Sequence, residues 1–454
     1  MRRVGWAAAG MAALALATAV GAGAAGLTVR GTQILQDGKP IFLRGSYYVQ
    51  PAAYHHCFLT ELDERQVPVD FTKMRESGLN CVAISVNWGD FLPHFDPGRP
   101  PQWDRRIDGR FRRLLQAARK ENLWVDLWFG TARMPLGVPG VKAGEPQTDL
   151  AGYKHQAFAG YTWPNYPGCV QFADPEWEGF VAFHRHVAEL TRGFDNVIFD
   201  PLDWQHLNMN AWCWGNARNL AGWRAWLKER NPDLAYWSER WGEKLASWDE
   251  ALFPMDDWVR RSAARYEGSP YAGKADTTDQ DKWQDFREWH DALHIRVMET
   301  LNSTLKQVRP DVLIGQRVDL WHHGDFRMNT WAVKGVDFIF QGWYSDKPEQ
   351  ARAPEEGITT SIKDVTSRWP KPMPLVFWET GDNVQGLPQA EDEALQAQQL
   401  AETDRVVRAL GLCGWLWWTW RDYPMGKESM RFGLNRLDGS PKPALTALKR
   451  LTEK

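Results

Sequence analysis

The alternation of short apolar runs with longer stretches of helical periodicity constrains the fold of this chain more than any other feature. The clearest helical stretch places Ile107, Phe111 and Leu114 at helical spacing, and another runs from about Asp281 to Leu301. Apolar runs separated by such stretches occur eight times, at 43–48, 81–86, 124–129, 197–202, 312–318, 338–340, 375–378 and 414–418. Because neighbouring parallel strands need a crossover helix, eight such units predict an α/β fold, the (β/α)8 TIM barrel.

We predict that residues 25–454 form one domain built on this barrel, since no linker, repeat or low-complexity tract divides them. A short β-hairpin at its start has strands at 27–30 and 41–43 and a turn around Asp37-Gly38. Most residues in excess of a bare barrel follow the third and fourth strands, at 131–173 and 203–280. Active sites of TIM barrels lie at the carboxyl ends of the strands, so these insertions are expected to wall a cleft.

Residues 1–24 have the pattern of a secretory signal peptide. Arg2 and Arg3 precede an Ala-rich apolar stretch at 4–20, and Ala22-Gly23-Ala24 fits a small-residue cleavage site. The apolar stretch is short for a membrane span and no second one follows it, which favours cleavage over a stable membrane anchor. We therefore expect an exported protein, either secreted or periplasmic.

Charge and aromatic content narrow the classes of ligand. Lys plus Arg number 54 against 57 Asp plus Glu, so the net charge of -3 gives no reason to expect a nucleic acid or an anionic membrane as partner. The chain has 27 Trp, more than a core requires, and flat indole faces suit a cleft that stacks the apolar faces of sugar rings. A carbohydrate is the expected partner.

The residues that follow the predicted strands are rich in aromatic and carboxylate side chains. Glycoside hydrolysis needs two carboxyl groups and aromatic walls that seat the sugar. Phosphoryl transfer lacks its Gly-rich loop here, and a serine hydrolase lacks its G-x-S-x-G elbow. The predicted substrate contacts at these strand ends are Trp88, Trp204, Gln205, His206, Trp343, Tyr344, Trp378, Trp418 and Arg421, beside the carboxyl groups of Asp203 and Glu379.

Four groups of motifs in chain order resemble the retaining glycoside hydrolases of the large (β/α)8 clan, and among them the catalytic domain of family 42 β-galactosidases. The resemblance covers roughly residues 43–451 and implies that Glu379, which ends the seventh strand, is the nucleophile. The motifs are Gly78-Leu79-Asn80-Cys81-Val82 at the second strand, 223–229 with Tyr236-Trp237-Ser238 after the fourth, Phe377-Trp378-Glu379 at the seventh, and Trp417-Trp418-Thr419-Trp420-Arg421 at the eighth.

The fourth strand departs from the clan's pattern. Its members have Asn-Glu there, with the Glu as acid/base, whereas this chain has Trp204 and Gln205 in those places. Glutamine has no proton to donate, so another group must act as the acid if the standard mechanism holds. Asp203 is the nearest carboxyl group and the proposed acid, and Asp200 and Asp319 are less favoured substitutes.

Three outcomes follow from this departure. Asp203 or a neighbour acts as acid in a working glycosidase, or Gln205 truly replaces the acid. In the second case only substrates with good leaving groups are cleaved, which resembles the plant thioglucosidases. In the third outcome catalysis is lost and the cleft only binds carbohydrate. The presence of Glu379 favours the first two.

The five cysteines give no reason to expect a metal. Cys81 and Cys413 lie in apolar strand-like runs and are predicted to be buried. The family 42 resemblance implies a zinc layout that Cys169 and Cys213 match, but Gly215 and Arg218 stand where further cysteine ligands would be needed. A disulfide between Cys169 and Cys213 is therefore favoured over zinc, and no cofactor is expected.

Two further patterns are assigned structural rather than functional roles. His184 and His186 lie in a predicted helix, where residues i and i+2 face different directions, so a solvated helix surface is favoured over a metal pair. The tryptophans of the second insertion recur at helical spacings and are predicted to form its core, at Trp223, Trp226, Trp237, Trp241 and Trp248.

Overall fold

The computed structural model describes residues 26–51, 58–130, 133–138, 157–158, 161–162, 176–202, 217–255, 273–318, 333–345, 347–368, 372–382, 387–425 and 428–452. The predicted signal peptide lies outside these ranges, as do parts of both predicted insertions. None of the described helices combines the length and the apolar character that a membrane span requires.

In the described part of the chain, eight parallel strands form a barrel whose neighbours pair in chain order. The fourth and fifth strands of the barrel, Val197–Asp200 and Gly315–Val318, stand at the two ends of this pairing order. A parallel bridge between Phe199 and Ile314 joins them, and Phe199 N–H donates to the Leu313 carbonyl at 2.9 Å. The predicted (β/α)8 barrel is thereby confirmed. The strands are β1 (Leu43–Tyr47), β2 (Cys81–Asn87), β3 (Trp124–Gly130), β4 (Val197–Asp200), β5 (Gly315–Val318), β6 (Phe338–Ser345), β7 (Leu375–Asp382) and β8 (Gly414–Trp417).

Helices cover the outside of the barrel. One of the predicted helices is capped by Asp104, whose side chain accepts hydrogen bonds from the backbone N–H groups of Arg106 and Ile107. The apolar face of this helix is buried. The described α-helices are α1 (Phe58–Glu61), α2 (Gln66–Glu76), α3 (Trp88–Phe91), α4 (Arg105–Lys120), α5 (Trp177–Leu190), α6 (Ala217–Arg230), α7 (Leu234–Arg240), α8 (Gln280–Val308), α9 (Pro348–Arg352), α10 (Glu355–Arg368), α11 (Gln389–Ala409) and α12 (Pro443–Thr452).

Alternation along the strands divides the buried residues into an outer and an inner core. On β3, Val125, Leu127 and Phe129 pack under the helices, whereas Trp124 and Trp128 face the barrel interior. Both faces are covered, so every residue of β3 is buried and the strand reads as a nearly continuous apolar run. Asp126 is the exception to this apolar character, and its position between Trp124 and Trp128 places it on the inner face.

A small antiparallel sheet precedes the barrel, with strands Thr28–Arg30, Gln33–Gln36 and Lys39–Pro40. Asp37 and Gly38 both have positive φ, at 51° and 75°, which is the turn geometry that the Asp-Gly pair predicts. The hairpin is therefore confirmed at this turn. Its predicted second strand at 41–43 is wrong in position, because residues 41 and 42 lie outside strands and Leu43 opens the barrel.

The described part of the second insertion has its own apolar core against α8. The Trp223 indole is fully buried and stacks on Trp241 at a centroid distance of 5.9 Å and an interplanar angle of 10°. Trp237 is buried in the same cluster, and Trp226 and Trp248 are partly buried against it. The prediction that these tryptophans form the insertion core is confirmed.

The expected solvated surface at His184 and His186 is wrong, since both side chains are buried. His184 stacks on Phe129 of β3, and burial lowers its pKa to about 4. His186 faces α4 instead, where its Nε2 lies 2.7 Å from Asp108 Oδ1. The side chains of His184 and His186 do point in different directions, as expected. Both of these faces of α5 are covered, because the barrel packs against one and α4 packs against the other.

Candidate active site

The end of β7 carries a β-bulge at Trp378 and Glu379. On β6, Gln341 and Trp343 pair with Phe377 and Thr380, so the two bulge residues lie opposite Gly342 alone. On the other side of β7, Phe377 and Thr380 pair with Trp415 and Trp417 of β8, so the two bulge residues again lie opposite a single residue. Glu379 has a φ of 53°, a left-handed conformation that costs a residue with a side chain roughly 1–2 kcal/mol. Such strain persists only where the surrounding structure holds it, and it recurs at functional sites.

Gly342 makes room for this bulge. A Cβ atom at position 342 would lie 2.6 Å from the Trp378 carbonyl oxygen and 3.0 Å from that of Glu379. Any larger residue would therefore displace the backbone that aims Glu379. The bulge and Gly342 together turn the Glu379 carboxylate toward the inner face of the barrel, next to Trp378.

Tyr344 of β6 holds the Glu379 carboxylate. Its hydroxyl donates to Glu379 Oε1 at 3.2 Å, and the Tyr344 side chain belongs to the inner core. Burial raises the pKa of Tyr344 well above its usual range, and the charge of Glu379 raises it further. Both effects favour the protonated phenol, which is the form that donates to Glu379.

Aromatic rings surround this carboxylate on the inner face. Tyr47 makes edge contacts with Trp128 and Trp378, at centroid distances of 5.7 and 5.1 Å, and packs against Trp418 at 4.6 Å. The Trp418 indole N–H donates to the Tyr423 hydroxyl at 3.1 Å, which fixes the plane of its ring. Trp378 and Trp418 therefore lie where the sequence predicts, beside Glu379, and both are mostly buried among their neighbours.

A buried charge pair lies beneath the rings. Arg317 of β5 contacts Asp200 of β4 through Nε, and its Nη2 donates to the Tyr47 hydroxyl at 3.1 Å. The guanidinium carbon sits 3.0 Å from the centroid of the Trp378 ring and 4.4 Å from that of Trp128. Arg317 thus fixes two rings of the site from below by cation–π contact and neutralises Asp200.

Asp126 is a second buried carboxyl group at this level. Among the described residues neither of its oxygens accepts a hydrogen bond of normal geometry. Burial raises the pKa of Asp126 to about 7, against the opposing effects of the Arg317 charge and the Trp378 indole N–H. Burial also raises the pKa of Tyr47, to which the charges of Glu379, Asp126 and Asp200 contribute. The charges of three carboxyl groups therefore act on the Tyr47 hydroxyl, which accepts a hydrogen bond from Arg317.

Trp88 and Arg421 are corrected by the structure. Trp88 begins α3 and is fully buried in the outer core against Phe95 and Phe180, so it presents no face to a sugar. Arg421 points toward α2, where its Nη2 lies 3.4 Å from Asp70 Oδ1, and Tyr48 donates to the other oxygen of Asp70. The side chains of Trp88 and Arg421 therefore make structural contacts within the protein and are not the substrate contacts that the sequence predicts.

Trp343 faces away from the barrel interior. It follows Gly342 on β6 and packs against the outer core and Gly357 of α10. Its ring does not meet Trp378 on the inner face, because successive side chains of a strand point to opposite sides. It lines instead a separate cavity of about 750 Å³, to which Tyr344 also contributes.

Several predicted residues lie outside the described part of the chain. These include Asp203, Trp204, Gln205 and His206 after β4, the alternative carboxyl group of Asp319, and the predicted disulfide of Cys169 and Cys213. Cys81 and Cys413 are buried, as predicted, and both are free thiols. Within the described residues, no three His, Cys, Asp or Glu side chains form a metal-binding group.

Sequence reasoning missed Arg317, Asp126 and Trp128 as members of this site. One available signal was the alternation Trp124, Asp126, Trp128, which places a carboxyl group on the same face as two indoles. For Arg317 the corresponding signal was a single cation within the apolar fifth strand, since an arginine there requires a buried partner.

No protein-family model matches the chain, and no curated protein matches its sequence. Solved structures match its fold. The exo-β-1,4-mannosidase Op5Man5 from Opitutaceae bacterium strain TAV5 has a TM-score of 0.55 at 17% identity, covering 94% of this chain and 62% of that one. For a β-galactosidase from the Antarctic haloarchaeon Halorubrum lacusprofundi the TM-score is 0.60 at 17% identity, with 90% and 57% covered.

A third structure is GH5_18 from Streptomyces cattleya in complex with GlcNAc, with a TM-score of 0.52, 13% identity, and 91% of this chain and 80% of that one covered. This chain spans about three fifths of the length of the mannosidase and the β-galactosidase. At these identities the similarity establishes the architecture. The chain has the TIM-barrel fold of these glycoside hydrolases.

Proposed function

We propose that this protein is an exported glycoside hydrolase that cleaves β-glycosidic bonds with retention of configuration, and that Glu379 is its nucleophile. The observation that carries the proposal is the bulge at the end of β7, where a left-handed Glu379 is turned into an aromatic barrel interior. A left-handed backbone conformation of this kind is not needed for a salt bridge or a surface carboxylate. A strained carboxylate beside several aromatic rings suits attack on a sugar.

In the first step a Glu379 carboxylate oxygen attacks the anomeric carbon while the bond from that carbon to the leaving oxygen breaks. The acid group gives its proton to the leaving oxygen, and a covalent glycosyl ester forms on Glu379. Water then attacks the same carbon, the acid group recovers a proton from it, and the ester bond to Glu379 breaks. Tyr344 orients the carboxylate by donating to Oε1.

Asp203 is the proposed proton donor, and Gln205 is a proposed hydrogen-bonding contact to the sugar. Both follow β4, the strand that ends with Asp200 in the Arg317 pair. Retaining enzymes hold their two carboxyl groups roughly 5–5.5 Å apart. A crystal structure with Asp203 at that distance from Glu379 is expected, and a separation of well over 10 Å would leave the acid role without a candidate there.

The substrate we propose is a β-linked oligo- or polysaccharide. Trp378 and Trp418 belong to the largely buried aromatic lining beside Glu379. Trp204 and His206 are proposed as further contacts to the sugar beyond β4. The fold neighbours include an exo-β-1,4-mannosidase and β-galactosidases, so β-mannosides and β-galactosides are the first substrates to test. We propose that the protein is exported, secreted or periplasmic, and that its signal peptide is cleaved near Ala24. The exported protein would then be in an oxidising compartment.

A second candidate function is carbohydrate binding without catalysis. The observation that favours it is Gln205, which stands where the resembling enzymes have their acid/base glutamate. A barrel that lacks a proton donor still stacks sugars on its rings. The intact Glu379 and its bulge favour the enzyme, because pure binding does not require a strained nucleophile.

Hydrolysis of dinitrophenyl and unactivated β-mannosides and β-galactosides by the mature protein tests the proposal, with Glu379→Gln as the matched control variant. Dinitrophenolate leaves without acid assistance, so the two substrate types report separately on nucleophile and acid. Cleavage of both types, lost in Glu379→Gln, is the expected result. Cleavage of activated substrates alone would mean that no acid is present. Binding of oligosaccharide without any cleavage would establish the second function instead.

A further inference from the structure

A surface groove of about 540 Å³ lies where the carboxyl end of α4 meets the turn between α5 and β4. Because α4 leads into β3 and the turn leads into β4, this groove lies at the amino ends of the barrel strands. Glu379 lies at the carboxyl ends, on the opposite side of the barrel. The groove is lined by Arg112, Gln116, Arg119, Lys120, Gly193 and Phe194.

The outer face of α4, which continues from the groove, is basic throughout. The helix carries seven Lys or Arg and a single acidic residue, Asp108, which is buried. Each charged side chain that α4 exposes is therefore a cation, although the whole chain has a net charge of -3. The helix is roughly 24 Å long, so its cations form a basic stripe of that length. The stripe consists of Arg105, Arg106, Arg112, Arg113, Arg119 and Lys120.

Two guanidinium groups in the groove are held in place by backbone carbonyl groups. Arg112 Nη1 donates to the Leu190 carbonyl oxygen at 2.7 Å, and Arg119 Nη1 donates to that of Gly193 at 3.0 Å. The Arg112 guanidinium also lies 5.2 Å from the centroid of the Phe194 ring. These contacts pair carbonyl groups at the end of α5 that would otherwise repel an anion. An arginine has several N–H donors, so both guanidinium groups keep donors for a ligand.

Positive charge in the groove is only partly neutralised by the protein itself. Arg119 Nε lies 3.7 Å from Asp195 Oδ1, a long ion pair at the edge of the groove. Among the described residues, neither Arg112 nor Lys120 forms an ion pair with a carboxylate. The described lining contains no Asp or Glu. An anion in the groove would therefore meet two cations for which no carboxylate of the described chain competes.

We propose that the groove and the basic stripe form a binding surface for an acidic polysaccharide, a chain of sugars that carry carboxylate groups. Guanidinium and ammonium groups donate to carboxylates, and the Gln116 amide can donate to and accept from sugar hydroxyl groups. The groove is large enough for a sugar unit, since small-molecule pockets measure roughly 300–1,000 Å³. A chain with a charge on each sugar contacts the whole stripe, whereas a small anion contacts the groove alone.

The same surface fits an anionic membrane less well. Proteins that bind membranes through a helix combine basic residues with apolar side chains that enter the lipid. None of the large apolar side chains exposed in the described part of the chain lies on α4 or on the turn after α5, since they are Val69, Tyr236, Leu410 and Leu437. The charge of the stripe is thus available to a polymer, but no apolar group beside it would insert into lipid.

Calorimetric titration of the protein with polygalacturonate tests the proposal, and the same polymer with methyl-esterified carboxyl groups is the uncharged reference. Lys120→Gln and Arg112→Gln are each expected to weaken binding of polygalacturonate about tenfold, the equivalent of one charge-assisted contact. Raising NaCl from about 50 to about 200 mM is expected to weaken it as well, because salt screens exposed charges. Where Arg112→Gln fails to fold for lack of its contact to Leu190, the exposed Lys120 still provides the test.

The matched control is Lys449→Gln, which removes an exposed lysine from the last turn of a different helix, α12. It changes the net charge as Lys120→Gln does and is expected to leave the affinity nearly unchanged. Glu379→Gln is also expected to bind polygalacturonate as the native protein does, because the groove lies at the other end of the barrel. Loss of β-glycoside hydrolysis therefore leaves this proposal standing, and loss of polygalacturonate binding leaves the proposed catalysis standing.

Three results would overturn the binding surface. One is equal affinity for the charged and the esterified polymer, which would show that the carboxylates are not recognised. Another is the same loss of affinity in Lys449→Gln as in Lys120→Gln, which would show attraction to the protein's charge in general. The third is binding of phosphatidylglycerol vesicles without binding of either polymer, which would assign the basic stripe to a membrane.

Discussion

Replacing Arg317 with methionine is expected to destabilise the protein by about 3–5 kcal/mol, because it leaves the Asp200 carboxylate buried without its cation. Arg317 is 3% exposed and Asp200 is 0% exposed, so water cannot compensate for the loss. The substitution also removes the donor to the Tyr47 hydroxyl and the cation beneath the Trp378 ring. The loss therefore combines an uncompensated charge with the loosening of two rings of the site.

The free energy of unfolding, measured by urea denaturation with circular dichroism, tests this magnitude in a double-mutant cycle with Asp200→Asn. Each single variant leaves one charge of the pair, whereas the double variant leaves neither, so the double variant is expected to lose less stability than the sum of the two single variants. The matched control is the exposed pair of Arg405 and Glu355, with side chains 53% and 62% exposed, where Arg405→Met is expected to leave the free energy of unfolding nearly unchanged because water screens the pair.

A cost below about 1 kcal/mol for Arg317→Met, or strict additivity in the cycle, would refute the reasoning. It would mean that the two side chains are solvated or separately neutralised in the folded protein. Activity is informative in the same variants. Because Arg317 contacts Trp378, next to Glu379, kcat of the Arg317→Met variant is expected to fall even where the variant remains folded.

Three further predictions concern the same site. The pKa of Asp126 is about 7 in the folded state against 3.8 for the free group, so the contribution of Asp126 to stability falls as pH rises from about 4 to about 7. Asp126→Asn is expected to remove that part of the pH dependence of the free energy of unfolding. The same pH dependence in both proteins from pH 4.5 to 8 would contradict this prediction. Gly342→Ala is expected to lower kcat about 100-fold by displacing the bulge, and unchanged steady-state kinetics would show that Glu379 tolerates the shift. Tyr344→Phe removes one charge-assisted hydrogen bond to Glu379 and is expected to lower kcat about tenfold; an equal rise in KM at constant kcat would assign Tyr344 to substrate binding instead.

The barrel itself could be predicted from the sequence because its signal is local and repeated. Each of the eight predicted apolar runs overlaps a barrel strand, and α4 buries the apolar stripe that the spacing indicates. Conversely, the solvated surface expected at His184 and His186 is wrong because local spacing shows only that two side chains diverge. It does not show how many neighbouring elements cover the helix.

The site was predicted in part. Glu379, Tyr344, Trp378 and Trp418 lie together on the inner face, in agreement with their positions at strand ends. Trp88 and Arg421 also follow strands, yet they pack against helices. A position in sequence gives the end of the barrel at which a residue lies, whereas the face to which its side chain points depends on the exact backbone path after the strand.

The sequence by itself determined the order of strands and helices, the carboxylate at the end of β7 and the wealth of aromatic rings, because these depend on composition and on periodicity along the chain. Only the tertiary structure decided which of these residues meet. One extra residue in β7, opposite Gly342, changes the side to which Glu379 points, and Arg317 finds Asp200 across 117 positions of the chain. Such contacts arise from closure of the sheet, which brings strands distant in sequence around one interior.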